Sequence, residues 1–301
     1  MLLSEMGNSL PKASADNVSA EAFSSPVAET RKLSVKEMEA IAKRLRRHII
    51  SMTGRAGSGH PGGSLSAVEI VTALYFWVLK HKPSDSCWSD RDRFILSKGH
   101  AAPLLYATLA ECGYFPVDEL TSLRRFNTRL QGHTDCLLTP GVEMTAGTLG
   151  QGLSFAIGAA LAGRLDSRKY RVYVLLGDGE CDEGQVWEGA MAAAHFKLDN
   201  LVVIVDNNGQ QIDGWNREVM NLEPFAKKWQ AFGWRVIEVD GHDLAQLTQA
   251  FDRAKLVKGQ PVAIIAHTIK GKGVSFMENN PDFHGKAPNA EEVEIALKEL
   301  E

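Results

Sequence analysis

The sequence predicts an α/β protein with a doubly wound, mainly parallel sheet and helices on both faces. Apolar runs typical of buried strands alternate along the chain with segments of helical period. Glycine-rich turns follow several of these runs, at the positions where parallel sheets bind their ligands. With 301 residues, 44% of them hydrophobic, the chain is long enough to bury a large core.

The chain divides into a short extension and one domain. Residues 1–31 are rich in Ser, Ala, Asn and Glu without a sustained period, which predicts a flexible N-terminal extension. We expect a single ordered domain over 32–301. Its cysteines lie far apart without a CxxC pair, which favours reduced thiols in a cytoplasmic protein over disulfides or a zinc cluster.

The bulk composition excludes several classes of function. A formal net charge of -4 and a pI near 6.2 argue against a surface that binds nucleic acid. One basic run, Lys43–Arg47 (KRLRR), is expected to form a solvated helix face. The longest apolar region, Leu65–Leu79, is interrupted by polar residues and is shorter than the roughly 20 residues of a membrane span. We therefore expect neither a nucleic-acid nor a membrane partner.

Local patterns predict each element in turn. Ser34 with Glu37 forms a capping-box pattern, and Ser66 with Glu69 repeats it for a second helix. The glycines of 54–63 (GRAGSGHPGG) predict a loop between these helices. The predicted helices cover 34–52, 66–79, 101–112, 153–165, 183–197 and segments starting near 243 and 290. The predicted strands cover 93–97, 169–176, 201–206, 234–239 and 261–266.

The helix over 153–165 is unusually rich in small residues. Gly158, Ala159, Ala160, Ala162 and Gly163 follow one another closely in it. Since small side chains let two backbones approach each other, we expect this helix to pack closely against another part of the backbone.

Two polar motifs follow successive predicted strands. Gly177-Asp178-Gly179 forms a tight turn that lets backbone N–H groups approach a ligand closely, and Asn207-Asn208 follows the next strand. A strand, a crossover helix and a parallel strand place both strand ends at one edge of a sheet, so Asp178 and Asn208 can converge. Two hard oxygen ligands beside a helix N-terminus suit Mg²⁺ or Ca²⁺ holding a diphosphate.

Five histidines stand beside or near glycines, and four of them fall in loops at the expected ligand edge. Imidazoles bind phosphate oxygens, donate to sugar hydroxyls and exchange protons near neutral pH. A single such histidine is better explained by a turn or a buried structural role, so their number carries the inference. These residues are His60, His100, His133, His242 and His284.

The ordered series of motifs resembles the transketolase family of thiamine-diphosphate enzymes. The GDG and DNN pair is similar to the family's diphosphate-binding motif. The other matching segments span about 33–285 and follow the family's order: SGHPGG, DRFILSKGHA, QGHTD, GTLGQG, GDGECDEGQVWE, DNNGQQIDG and HTIKGKGVSFMENN with FHG. The resemblance implies the diphosphate domain of the thiamine-diphosphate-binding fold, with thiamine diphosphate and Mg²⁺ (or Ca²⁺) as cofactors.

The resemblance also implies a role for each matching residue. The metal would be bound by the side chains of Asp178 and Asn208 and by the backbone carbonyl of Gln210, where the family usually has an apolar residue. Glu183 would join its counterpart in the opposite protomer, although a glutamate favoured by a helix N-terminus explains it equally well. The catalytic residues would be His60, His133, His284 and Glu183. The cofactor-binding residues would be His100, Gly147, Leu149, Gly179, Asn208 and His284.

The function implied is one half of a transketolase, which moves a two-carbon ketol unit from a ketose phosphate to an aldose. The family's polypeptide continues into a pyrimidine-binding domain, whereas this chain stops after one more amphipathic segment, 290–301. We therefore expect an N-terminal, diphosphate-binding subunit of a split enzyme, active only with a separately encoded pyrimidine-binding subunit in an α2β2 heterotetramer. The alternatives are a fragment, an alpha-type subunit of a 2-oxoacid dehydrogenase, a deoxyxylulose-phosphate-synthase-like protein, and a non-catalytic binding module.

Overall fold

A five-stranded parallel sheet forms the centre of the described chain, residues 32–301 of a computed structural model. The strands are β1 Arg93–Leu96, β2 Val172–Gly177, β3 Leu201–Asn207, β4 Gln210–Gln211, β5 Gly214–Trp215, β6 Arg235–Asp240 and β7 Val262–His267. Within the sheet the order is β1-β2-β3-β7-β6, and every neighbouring pair is parallel. β4 and β5 form a separate antiparallel hairpin. The predicted extension, 1–31, lies outside the described residues.

The helices connect these strands and cover the sheet. They are α1 Val35–Ala56, α2 Pro61–Ser66, α3 Val68–Ala73, α4 Ala102–Glu111, α5 Gln151–Leu165, α6 Gly184–His195, α7 Asn216–Val219, α8 Phe225–Ala231, α9 Leu244–Leu256 and α10 Ala290–Glu299. Among these described helices none is long and apolar enough to cross a membrane. The predicted capping box at the start of α1 is confirmed: the hydroxyl of Ser34 accepts from the amide of Glu37, whose carboxylate accepts from the amide of Ser34.

Helices cover both faces of the sheet, which confirms the predicted fold class. Along β2, Tyr173 and Leu175 pack into one apolar cluster with residues of α1, α3, α4 and α9. Their neighbours Val174 and Leu176 pack into a second cluster with α5, α6 and α8. Because both faces are buried, β2 and β3 are nearly continuous apolar runs rather than alternating ones.

The predicted loop over 54–63 is wrong for most of its length. α1 continues to Ala56 and stops at Gly57 in the left-handed conformation, and α2 already begins at Pro61. The glycines inside these helices allow close packing: a Cβ on Gly54 would lie 2.3 Å from the side chain of Val293, and one on Gly62 would lie 2.8 Å from the carbonyl of Phe283. Tertiary contact therefore overrides their low helix propensity.

The predicted capping box at Ser66 and Glu69 is also wrong. Ser66 ends α2, and its hydroxyl donates to the Asp206 carboxylate at the end of β3. Glu69 lies buried in α3 and accepts two hydrogen bonds from Arg46. The basic run of α1 is consequently not all solvated, because Arg46 is buried with this partner. Both side chains follow tertiary partners instead of capping the local backbone.

The glycines of α5 differ in how closely they pack against the rest of the described chain. A Cβ on Gly152, one residue before the predicted helix, would lie 2.4 Å from the Ser97 Cβ and 2.9 Å from its Cα. The backbone approach expected at Gly158 and Gly163 is not found among the described residues, and a Cβ on Gly163 would meet the side chain of Tyr170 at 2.9 Å instead. Gly158 lies on the exposed side of α5, and no atom of residues 32–301 comes within 4 Å of the Cβ position outside the helix's own backbone. Of Gly152 and Gly158, only Gly152 stands where a larger side chain would clash within the described chain.

We predict opposite effects of alanine at these two glycines. Gly152→Ala should lower the free energy of unfolding by about 1–3 kcal/mol, because the end of β1 must move to admit the methyl group. Gly158→Ala is the matched control in the same helix and should raise it by about 0.4–1 kcal/mol, since it removes backbone freedom from the unfolded chain without a clash. Urea denaturation of both variants measures the difference. Equal effects would contradict the difference in packing between the two positions.

Candidate active site

A buried ion pair joins the strand ends from which the site is built. The Lys98 ammonium follows β1 and donates to the carboxylate of Asp206 in β3 and to the carbonyl of Gly63, at 2.8 Å. The same carboxylate accepts from the hydroxyls of Ser66 and Thr268. Lys98 and Asp206 are both almost fully buried. Four separate segments of the chain therefore meet at one carboxylate.

The two strand-end motifs meet beside this ion pair, as their spacing predicts. The Asp178 carboxylate accepts from the amide of Gly179 at 2.9 Å and from the amide of Gly209 at 2.5 Å. Burial and the nearby Asp206 raise the pKa of Asp178 to about 7. A carboxyl held this way in a buried site is stabilised in its charged form by any cation that binds against it.

Asn208 and Gln210 complete the turn that follows β3. The side-chain oxygen of Asn208 accepts from the amide of Gln210 at 3.1 Å, and its amide nitrogen donates to Asp206 at 3.2 Å. The side chain of Gln210 donates to the carbonyl of Asn279 at 3.0 Å, while its buried Oε1 has no hydrogen-bond partner among the described residues. Both residues are buried, and they attach the turn to Asp206 on one side and to Asn279 on the other.

Glu180 holds the opposite wall of the site, and the sequence patterns did not predict it. Its carboxylate accepts from the hydroxyl of Ser97, from the amide of Gly150 at 2.9 Å and from the amide of Gly177 at 3.0 Å. These contacts tie the end of β1, the GTLGQG turn and the end of β2 to one buried side chain. A glutamate directly after GDG, next to a glycine-rich turn in the fold, was the available signal.

Four of the five predicted histidines form one cluster at this edge of the sheet. The ring centroid of His60 lies 5.3 Å from that of His100, 6.2 Å from that of His133 and 5.6 Å from that of His284. Burial and nearby cations lower the pKa of all four imidazoles, to about 4 at His60 and about 3 at His284. At neutral pH the cluster therefore presents uncharged rings that can both donate and accept hydrogen bonds.

A second buried lysine contacts this cluster and was not predicted either. The Nζ atom of Lys270 lies 2.9 Å from Nδ1 of His284, and burial together with the charge of Lys98 lowers the pKa of Lys270 to about 8. Its signal in the sequence was weak, because a lysine a few residues beyond a strand is usually exposed. Lys98 and Lys270 thus place positive charge beside Asp178 and the imidazoles.

These groups line a cleft of about 290 Å³ at the carboxyl ends of the strands. Ten of the residues expected in the site line it: His60, His100, His133, Gly147, Leu149, Asp178, Gly179, Asn208, Gln210 and His284. Glu183 is not among the lining residues. It is exposed, immediately precedes α6 without capping it, and its Cβ packs near Gly150. The helix predicted over 183–197 begins at Gly184, so Glu183 lies just before it.

Comparison with known proteins agrees with this geometry. The family model described as transketolase, thiamine diphosphate binding domain, matches residues 37–300. The chain is 44% identical to the 6-deoxy-6-sulfo-D-fructose transketolase subunit SqwG of a Clostridium species, over 88% of this chain and 96% of the relative. It is also 44% identical to a subunit of the apulose-4-phosphate transketolase of Actinobacillus succinogenes, over 89% and 97%. These relatives are matched over nearly their whole length.

Solved transketolases are similar in structure as well. The enzyme from Leishmania mexicana is 33% identical with a TM-score of 0.83, covering 87% of this chain and 41% of that chain. The fold and the site together define a thiamine-diphosphate-binding α/β protein. The chain belongs to the transketolase family, as its N-terminal, thiamine diphosphate binding domain. The family expected from the motifs is confirmed, and this favours transketolase over the other thiamine-diphosphate enzymes considered.

We predict that breaking the Lys98–Asp206 pair costs more stability than removing a single hydroxyl at the site. Asp206→Asn leaves a buried ammonium without its counter-charge and should lower the free energy of unfolding by about 3–5 kcal/mol. Ser66→Ala removes one hydrogen bond to the same carboxylate and should lower it by about 1 kcal/mol. Urea denaturation of both variants provides the comparison. A loss for Asp206→Asn no larger than for Ser66→Ala would show that the pair is not the organising contact.

Proposed function

We propose that this chain is the diphosphate-binding subunit of a transketolase, which transfers a two-carbon ketol unit from a ketose phosphate to an aldose acceptor. The observation that carries the proposal is the convergence of Asp178, Asn208 and four neutral imidazoles on one cleft. Thiamine diphosphate, when bound, supplies the electron sink that carbon–carbon bond cleavage in a ketose requires. The chain's own residues hold that cofactor and handle protons around it.

The cleft suits a divalent cation. Asp178 and Asn208 provide hard oxygen ligands, and the Gln210 carbonyl is available as a third. The described residues contain no group of three or more His, Cys, Asp or Glu side chains that could hold a metal, so the proposed site uses one carboxylate with amide and carbonyl oxygens. Mg²⁺ fits such a mixed set because it retains several waters and shares phosphate oxygens with its ligand.

The charges in the cleft suit a diphosphate only together with that cation. Asp178, Asp206 and Glu180 provide three buried carboxyl groups, whereas Lys98 and Lys270 provide two ammonium groups. A diphosphate adds further negative charge, which a divalent ion offsets most directly. His100 and Gly179 line the same cleft, where the imidazole of His100 can donate to the diphosphate, and Gly147 and Leu149 line it as well.

The imidazoles suit the oxygen atoms of a sugar donor. A neutral ring donates from one nitrogen and accepts at the other, so it can donate to a carbonyl oxygen of the sugar or accept from one of its hydroxyls. Nδ1 of His60 is buried and has no partner within residues 32–301, which leaves one ring nitrogen available for a ligand. We assign His60, His133 and His284 to the donor's C1 and C2 oxygens. The exposed Glu183 is assigned to contact with another protomer.

The remaining site components come from a partner in this proposal. The relatives matched over nearly their whole length are named as subunits, whereas the chain spans 42% of human transketolase, to which it is 42% identical. We therefore propose a separately encoded pyrimidine-binding partner and an α2β2 assembly in the cytoplasm. An obligate interface of this kind buries about 2,000 Å² or more. Sugar phosphates are the proposed substrates.

We predict that Asp178→Asn weakens binding of thiamine diphosphate in the presence of Mg²⁺ by about 100-fold or more, since a metal carboxylate matters at least as much as its outer partners. Asp182→Asn is the control: it removes the same charge from an exposed residue of the same turn and should change affinity less than about threefold. Isothermal titration calorimetry measures both. Equal affinities of the two variants would refute the metal assignment.

We predict that His133→Ala impairs use of the ketose more than binding of the cofactor. Loss of one hydrogen bond to a sugar oxygen should raise the KM for the ketose about tenfold in the complex with the pyrimidine-binding partner. The dissociation constant for thiamine diphosphate should stay within about twofold. His195→Ala, at the end of α6 outside the cleft, should leave both unchanged. Equal losses in both quantities for His133→Ala would contradict its assignment to the sugar.

A further inference from the structure

His242 is the histidine that the cleft does not include. It lies in the turn after β6, where its Nδ1 is 3.0 Å from the Glu69 carboxylate of α3. Its Nε2 accepts a hydrogen bond of 2.8 Å from the amide of Ile269. An ionised carboxylate only accepts and an amide N–H only donates, so the proton must sit on Nδ1 and Nε2 must be the acceptor. Both ring nitrogens are thereby used.

A buried ion pair fixes the orientation of this ring. Arg46 of α1 donates to both oxygens of Glu69, at 2.5 and 2.8 Å. Burial opposes ionisation of Glu69, but the hydrogen bond from His242 and the charge of Arg46 lower its pKa to about 2. The same arginine donates through Nε to the carbonyl of Lys272 at 3.0 Å. We call Arg46, Glu69 and His242 the rear clamp. The rear clamp holds the turn over 269–272 at two backbone atoms, the amide nitrogen of Ile269 and the carbonyl oxygen of Lys272.

The turn held by the rear clamp is the one that carries Lys270. Ile269 and Lys272, the two clamped residues, flank Lys270 and Gly271, and the amide of Gly271 donates to the carbonyl of Gly62 at 3.0 Å. The Lys270 side chain extends the other way into the cleft, to 2.9 Å from Nδ1 of His284. A shift of this backbone would therefore move both the ammonium group and its contact with the imidazole cluster.

We propose that His242 is a positioning residue, which sets Lys270 in the cleft by holding the amide of Ile269 through Nε2. The ring does not line the cleft, so it acts on the site through the backbone. Its consequence for cofactor affinity rests on the proposed function, because Lys270 is then one of the cations that face the diphosphate. The clamp on the turn itself does not depend on that function.

Two substitutions separate the two hydrogen bonds of the ring. His242→Asn keeps a donor near the position of Nδ1, so Glu69 retains its partner while the Ile269 amide loses its acceptor. His242→Gln places its side-chain oxygen near the position of Nε2 and can still accept from Ile269. A residue that merely fills space or pairs with Glu69 would tolerate the asparagine at least as well as the glutamine. A positioning role predicts the reverse order.

Hydrogen–deuterium exchange of the complete chain, without cofactor, tests the clamp directly. The amides of the 268–272 peptide should exchange about five to ten times faster in His242→Asn than in the wild type, from loss of one net hydrogen bond. In His242→Gln they should exchange within about twofold of the wild-type rate. Equal exchange in the asparagine and wild-type proteins, or equal acceleration in both variants, would overturn the proposal.

Calorimetry with thiamine diphosphate and Mg²⁺ tests the consequence for the cleft, with Asp178→Asn as the reference. His242→Asn should weaken binding about five- to tenfold, and His242→Gln should restore it to within about twofold of wild type. If Asp178→Asn weakens binding and His242→Asn does not, the positioning role is wrong while the cofactor site stands. If Asp178→Asn has no effect but the exchange pattern holds, the clamp stands and the proposed function is wrong.

Discussion

The contact between Lys98 and the Asp206 carboxylate determines how the strand ends of this protein are arranged. An isolated charge at this depth is strongly unfavourable, so each of the two groups requires the other, together with the hydroxyls that occupy the remaining carboxylate positions. Those partners come from the segments after β1 and β7 and from the end of α2. Satisfying one buried charge thus fixes three segments against β3, and the cleft is the space that remains in front of them.

The parts of the site that the sequence predicts are those that belong to recognisable motifs, namely the two strand-end motifs and the histidines beside glycines. Asp178 and Asn208 could be placed together because one βαβ unit joins them, and its geometry leaves little freedom. Lys98 and Glu180 could not, since Asp206 lies 108 residues from Lys98 and Ser97 lies 83 residues from Glu180, and both contacts depend on how the connections cross the sheet. Lys270 was missed for a different reason, because a lysine a few residues beyond a strand is usually exposed. Local sequence patterns therefore predict which edge of the sheet binds a ligand, whereas the buried charged side chains around that edge are identified only from the structure.

The mispredicted elements have the same physical cause. Glycines at 54 and 62 predict a loop because helix propensity disfavours them, yet at both positions a neighbouring side chain or carbonyl occupies the Cβ space. Ser66 and Glu69 matched a capping pattern, but a buried carboxylate and a buried guanidinium are stronger partners than the amides at a helix end. In each case the residue type is explained by a contact with a distant part of the chain.

The buried polar groups at the cleft differ in how completely their hydrogen bonds are satisfied. The carboxylates of Asp206 and Glu180 each accept from several donors. By contrast, among the described residues, Nδ1 of His60 and Oε1 of Gln210 are buried without a hydrogen-bond partner. Buried polar atoms of this kind are uncommon in protein interiors, and the described chain has four more of them, at Tyr173, Asn200, Asn216 and Trp229. His60 and Gln210 differ from these four in that both line the cleft, so in the proposed function a bound ligand can complete their hydrogen bonding, whereas Asp206 and Glu180 are satisfied within this chain.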